Sequence, residues 1–189
     1  METILAICLG IGLSASCGFR VFMPMLITGI AANAGHIELA GGFEWIGTPE
    51  AIGVFAVASV LEIGAYYFPW IDNLLDTAAT PAAIVAGVIV SASVYTDMSP
   101  LMQWTLAAVL GGGAAGTVQG ATVMLRGTST ATTGGLGNPA VSTGETAGSM
   151  AMSLTALLAP AAAAILFVAF IFMAVRWIKR RRRRYRHVA

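Results

Sequence analysis

Charge is what this sequence has least of. Of its 189 residues only 10% are Asp, Glu, Lys or Arg, against 57% hydrophobic residues and a mean hydropathy of +0.81. A soluble domain keeps about a quarter of its residues charged to cover its water-facing surface. The shortage excludes an ordinary soluble fold and points to an integral membrane protein. Cysteine and histidine are scarce as well: Cys8, Cys17, His36 and His187 are the full set, which excludes a zinc-type cluster. Both cysteines fall in the first apolar run and read as small packing residues rather than a disulfide. No nucleophile–base set, phosphate loop or His-rich motif is present, so an enzyme has no support and no cofactor or metal is expected.

The few charges are unevenly spread. Eight of the ten Lys/Arg residues lie between Arg176 and Arg186, leaving Arg20 and Arg126 for the rest of the chain. A basic tail directly after an apolar segment holds that end in the cytoplasm by the positive-inside rule. It is also attracted to anionic lipid headgroups. On a membrane span "KRRRRRYRH" reads as a topology anchor, not as a nucleic-acid arm. At the other terminus "ILAICLGIGLSASC" has the outline of a lipoprotein signal ending at Cys17. It lacks a basic start, carries Ser14 where such signals want Leu, and stays apolar past the cysteine, so it reads as a retained span.

A bilayer core takes about 20 apolar residues per helix. Residues 3–32, 49–68, 81–96 and 101–125 each supply such a run, with "PWIDNLLDTAATP" before the third and a Gly/Thr/Ser-rich loop, "GTSTATTGGLG", after the fourth. The block 139–179 is divided by Pro160 into two more. The fold class is therefore all-α and polytopic, with about six transmembrane helices, or five if 139–179 is one kinked helix. A single transmembrane domain covers 1–180, and 181–189 form a basic cytoplasmic tail.

The two halves, about 3–97 and 101–179, resemble each other. "LAICLGIGLSASCG" matches "LAAVLGGGAAGTVQG", and "GTPEAIGVFAVASVLEIGAYYFP" matches "GNPAVSTGETAGSMAMSLTALLAP". Thr48 and Asn138 suit helix caps, with Pro49 and Pro139 in the first turn. Three spans per unit would turn the second copy upside down, the inverted-repeat plan of many transporters. Six spans put both termini, and the loop bearing Arg126, in the cytoplasm. Gly112, Gly116 and Gly120 are four apart and suit close packing, either within the monomer or in a homodimer.

Several of these pieces appear together in one order: "GFRVFMPML", "GGFEWIGTPE", "LEIGAYYFPWIDNLLD" followed by "TPAAIVAG", and "GNPAVSTGE" with the later "LLAP". On these residues the chain resembles the bacterial membrane proteins grouped as domain of unknown function 4126, over roughly residues 5 to 165. The resemblance implies a compact helical protein of a bacterial inner (plasma) membrane and implies no activity. Relatives carry an acid at the position of Tyr66 and a more polar late loop, so any carboxylate cluster is thinner here. Locally, "GNPAVS" is similar to the Asn-Pro-Ala box of aquaporins. The first half has Gly-Thr-Pro instead of a second box, which argues against a water pore.

Arg20 is the residue most in need of explanation. A mid-span arginine costs a few kcal/mol even on the mildest insertion scales and must find a partner or water. Pro24 cannot donate to the carbonyl of Arg20, so a helix break is expected there, with further breaks at Pro69, Pro139 and Pro160. Glu62, deep in the second run, is the expected partner; the other role for such a carboxyl is to carry protons. Asp72 and Asp76 share one helix face. That face either meets water or holds a hard cation at a short amphipathic or re-entrant helix. Glu145 either belongs to a Ser142-x-x-Glu145 capping box or is another buried acid, and Asn138 is a cap or a pore-lining amide. Arg20, Glu62, Asp72, Asp76, Asn138 and Glu145 are thus the candidate pathway residues. The functional expectation is a small channel or carrier for an ion or small polar solute, working between inverted halves; the contrasting class is a non-transporting scaffold or assembly protein.

Overall fold

The computed structural model of the chain describes the backbone of residues 2–66 and 69–186, and the side chains of residues 2–66 and 78–176. Its first surprise concerns the first apolar run, which folds back on itself instead of crossing as one helix. Helix α1 (Glu2–Cys17) gives way at "GFRV" to α2 (Phe22–Asn33). The amides of Gly18 and Phe19 reach only three residues back, to Ala15 and Ser16 at 3.1 Å. Pro24 offers the Arg20 carbonyl no amide, yet within the first turn of α2 it leaves no bond unmade. Gly18 is required sterically, because a Cβ there would lie 2.5 Å from the carbonyl oxygen of Ala115.

The remaining helices are α3 (Pro49–Ala65), α4 (Pro69–Ser93), α5 (Pro100–Thr133), α6 (Asn138–Leu158) and α7 (Pro160–Arg186), with a 3-10 turn at Glu44–Gly47 and no strand among the described residues. Their directions follow from specific contacts. Helix α1 lies antiparallel to α4, since Ser14 Oγ donates to Gly87 O (2.7 Å) and Ser91 Oγ to Gly10 O (3.1 Å). Helix α2 lies antiparallel to α3: Val21 and Phe22 meet Glu62, while Asn33 at the far end bonds to Gly47 just before α3. Ala40 N donates to Ser93 O at the end of α4. Helix α6 is antiparallel to α1, with Ser149 and Ser153 on Ser16 and Ala156 against Gly12.

One end of the molecule therefore gathers the start of α1, the end of α2 and the end of α4. A cavity of about 540 Å³ there is lined by Glu2, His36, Glu38, Asp97 and Pro160 among others. Helix α7 starts at this end and descends, so that Phe167 and Phe170 face Phe19 and Val118. The seven helices alternate in direction, and Glu2 and the far end of α7 lie at opposite ends. This corrects the sequence reading: residues 3–97 hold four helices and 101–179 hold three. Run length alone had suggested one helix where a four-residue reversal makes two.

Two other boundaries moved. Helix α4 runs unbroken from Pro69 through Pro81, so "PWIDNLLDTAATP" is its first half and not a separate short helix. Helix α5 continues past the fourth run through most of the expected loop, ending at Gly134 with φ 63°. Hydroxyls make this possible by bonding one turn back: Thr128 to Met124 O, Thr132 to Thr128 O and Thr133 to Ser129 O, each at 2.8 Å. Within α5 a single π turn, Ala107–Gly112, widens the helix where Ser91 of α4 presses on Gly111. Gly112 and Gly116 face Val88 and Ile84 of the same chain. Ala159 alone separates α6 from α7, and Pro160 opens α7.

Polarity is distributed inside out. Ser14, Ser16, Thr28, Ser91, Ser149 and Ser153 are fully buried, whereas Val54, Val57 and Val60 on α3 and Ile165, Val168 and Phe172 on α7 are more than 60% exposed. Among the described residues one helix, α5, is long and apolar enough to cross a membrane, and Glu2–Cys17, Phe22–Asn33, Ala78–Ser93 and Pro160–Arg176 are shorter apolar helices.

Candidate functional site

The reversal between α1 and α2 creates the site. It leaves the amides of Val21 and Phe22 without intrahelical partners, and both donate to Glu62, at 2.8 Å to Oε1 and 3.1 Å to Oε2. A carboxylate at a helix start is doubly favoured, since it accepts orphan amides and faces the positive end of the helix dipole. Glu62 therefore fastens the start of α2 to the last turn of α3. It is half-buried.

With Glu62 engaged there, Arg20 turns elsewhere. Its side chain is fully buried and reaches α6, where Nε donates to Thr146 Oγ1 (3.1 Å) and Nη2 donates to Ser142 O (2.9 Å) and Ser142 Oγ (2.6 Å). Nη2 lies 3.6 Å from Glu145 Oε2. The expected Arg20–Glu62 ion pair is thus replaced by Arg20–Glu145. The cause is local: two free amides claim Glu62, and the antiparallel course of α6 beside α1 brings Ser142, Glu145 and Thr146 to the level of Arg20.

Glu145 is shared with a second arginine. Arg126 of α5 forms a bidentate fork on it, Nε to Oε1 at 2.9 Å and Nη2 to Oε2. Such forks fix orientation as well as charge. Tyr66, at the end of α3, presents its ring to both guanidinium groups, with centroid distances of 4.3 Å to Arg20 and 3.8 Å to Arg126. Ring faces attract cations, most strongly when both are desolvated. Arg126, Glu145 and Tyr66 are each at most 5% exposed.

The candidate residues sort as follows. The structure brings Arg20, Glu62 and Glu145 together around the α1–α2 reversal. Asn138 is the first residue of α6 and does not cap it; its Nδ2 donates to Thr130 Oγ1 (3.1 Å) on α5, next to the cluster's helices. Glu145 lies two turns into α6, so the capping-box role falls and the buried-acid role stands. Thr48 does cap α3, accepting from Ala51 N. Asp72 and Asp76 lie on the backbone of α4, but their side chains and that of Pro69 lie outside the described residues, as do those beyond Arg176 in the basic tail. Sequence reasoning missed Arg126, Tyr66, Ser142 and Thr146 as members of the site. Arg126 was assigned to a cytoplasmic loop, although it is one of only two arginines outside the tail, which was the available signal.

These features define an all-helical protein whose interior holds a network of ionisable side chains and whose helices α3 and α7 expose apolar residues. The chain belongs to the family described as domain of unknown function (DUF4126), which matches residues 7–180. No curated protein and no solved structure matches it.

Proposed function

We propose that the chain is a multi-pass protein of a bacterial inner membrane that carries or conducts a small polar solute or ion through the Arg20–Arg126–Glu145 cluster. The observation that carries this reading is the inverted polarity: two buried arginines and a buried glutamate inside, a valine- and leucine-rich face outside. Ionised groups inside membrane helices face the bundle interior and mark solute and ion pathways. In this reading α3 to α7 cross the bilayer and α1–α2 enters as a hairpin, so the termini face opposite sides. Charge supports the orientation. Glu2, Glu38, Glu44, Glu50 and Asp97 belong to the end where α1 starts, and the eight basic residues of 176–186 follow the descent of α7 towards the other. By the positive-inside rule the tail is cytoplasmic and bound to anionic headgroups, and Glu2 is external.

Flux across proteoliposomes, over a panel of ions and small solutes, tests the transport reading; flux lost in Glu145→Gln with the fold retained supports it. Absence of flux for the whole panel sinks it. In a variant lacking Cys8 and Cys17, a single cysteine at Glu38 should label only from outside; labelling from the cytoplasm overturns the orientation. A scaffold reading draws on a different observation, that the network ties the α1–α2 turn, α3, α5 and α6 into one unit. A defined partner that co-purifies, with no flux, would favour it.

A further inference from the structure

The end where α1 starts holds two cavities that share a wall. The polar one, of about 540 Å³, is lined by Glu2, Glu38 and Asp97. The other is an apolar groove of about 410 Å³ between α2 and α6, lined by Ile27, Ile30, Leu154 and Leu158. His36 and Ile37 line both. This wall is fixed on either side. Gly35 takes φ 72°, and the amides of Gly35 and His36 return to the carbonyls of Ala32 (3.0 Å) and Ala31 (2.9 Å), the Schellman ending of a helix. Beyond it Ala40 N donates to Ser93 O of α4 at 2.8 Å. The groove runs inward from the wall, about 10 Å along α2 from Ala34 to Ile27. Its sides are open, with Ile30 50%, Leu154 45% and Leu158 85% exposed.

Chemistry changes in order along this path: carboxylates, then an imidazole at the wall, then aliphatic side chains. No lysine or arginine balances the acids here, because the two outside the tail belong to the buried cluster. Nor do three Asp, Glu, His or Cys side chains converge as metal ligands among the described residues. The acids therefore surround a group larger than a bare ion, and the groove beside them calls for an apolar chain on the same molecule. We infer that the two cavities together bind one phospholipid whose headgroup ends in a primary ammonium, in the leaflet at this end. The inference rests on the membrane reading above and not on transport. The ammonium donates to the carboxylates of Glu38 and Asp97. The phosphate lies at His36, whose ring keeps an N–H donor in either protonation state, and an acyl chain follows the groove between α2 and α6. A quaternary ammonium has no N–H to give and is held by aromatic cages, but no Phe, Tyr or Trp lines either cavity. A headgroup with a phosphate and no amine would meet carboxylates without a counter-charge.

The test uses the full chain purified in a mild detergent and titrated with dioctanoyl phosphatidylethanolamine, phosphatidylcholine or phosphatidylglycerol in mixed micelles. The ethanolamine lipid should raise Tm saturably, by about 4 °C at ten times its dissociation constant. The other two should bind roughly tenfold more weakly, the worth of one charge-assisted hydrogen bond. Glu38→Gln with Asp97→Asn, at two exposed positions, should remove the preference for the ethanolamine lipid. Ala34→Trp, which fills the mouth of the groove, should weaken lipid binding and leave the order of headgroups unchanged. Glycerophosphoethanolamine, the head without its chains, should bind roughly tenfold more weakly than the lipid or worse. Binding of that head as tight as the lipid's would make this a site for a polar solute and overturn the inference. Equal affinity for the three headgroups overturns it too, as does a preference that survives the double variant or an affinity unchanged by Ala34→Trp. A headgroup preference without flux of any solute keeps the inference and sinks the carrier. Flux without a headgroup preference does the reverse.

Discussion

Two regions of this molecule hold the same kinds of residue and treat them in opposite ways. At the end where α1 starts, Glu2, His36, Glu38 and Asp97 stand exposed around a cavity. Towards the other end Arg20, Arg126 and Glu145 are closed away, each charge answered by a named neighbour. The difference is not in the side chains. It lies in whether the backbone nearby has bonds to give: the α1–α2 reversal exposes two amides in the interior, and the carboxylate of Glu62 satisfies them. Exposed charges contribute little because water serves them as well. Buried ones hold the fold, because the loss of one strands another.

Glu145→Leu should break this contrast most severely. It removes the carboxylate that both buried guanidinium groups share, a loss of about 3–5 kcal/mol, measured by unfolding in detergent micelles. Adding Arg126→Leu should restore part of that loss, so that the double variant costs less than the sum of the singles. A strictly additive result would mean that the fork contributes nothing as a pair.

Glu62→Gln probes the junction between the two regimes. Glutamine keeps one acceptor but loses the charge at the helix start, an expected loss of about 1–2 kcal/mol. Hydrogen exchange should accelerate at Val21 and Phe22 and stay unchanged at Ser14 and Ser91, which lie on the neutral α1–α4 seam. The smallest effect belongs to the open end. Glu38→Gln and Asp97→Asn should each shift stability by no more than about 0.5 kcal/mol, and a larger loss at either would show that the open end is built as tightly as the closed one.

Much of the site could be read before the fold was known, though not its pairings. Arg20 at a break was legible because a proline four residues on removes one specific amide. The starts of α3, α6 and α7 were legible from Pro49, Pro139 and Pro160. The reversal was not, since an apolar run of thirty residues satisfies one tilted helix as well as two antiparallel ones. Arg126 was hidden by composition: serine, threonine and glycine favour loops in isolation, but here the hydroxyls of Thr128, Thr132 and Thr133 bond back to their own helix. Partner choice was the least legible of all. Glu62 and Glu145 are both glutamates inside apolar segments, and only the position of the orphan amides decides which of them meets an arginine.

The π turn at Ala107–Gly112 has a consequence for angular phase. A π turn is one residue inserted into an α-helix, and one residue is about 100° of rotation at 3.6 residues per turn. Upstream of it Gln103 points at Ala92 O; downstream, Arg126 points at Glu145. The i→i+5 bonds of the π turn take up that surplus residue locally, so the helix on either side keeps the relative phase that brings Gln103 to Ala92 and Arg126 to Glu145. Deleting Val109 should turn the bulge into plain α-helix and leave Arg126 on its carboxylate. Straightening the turn with its residue count kept would instead rotate everything beyond it by about 100°.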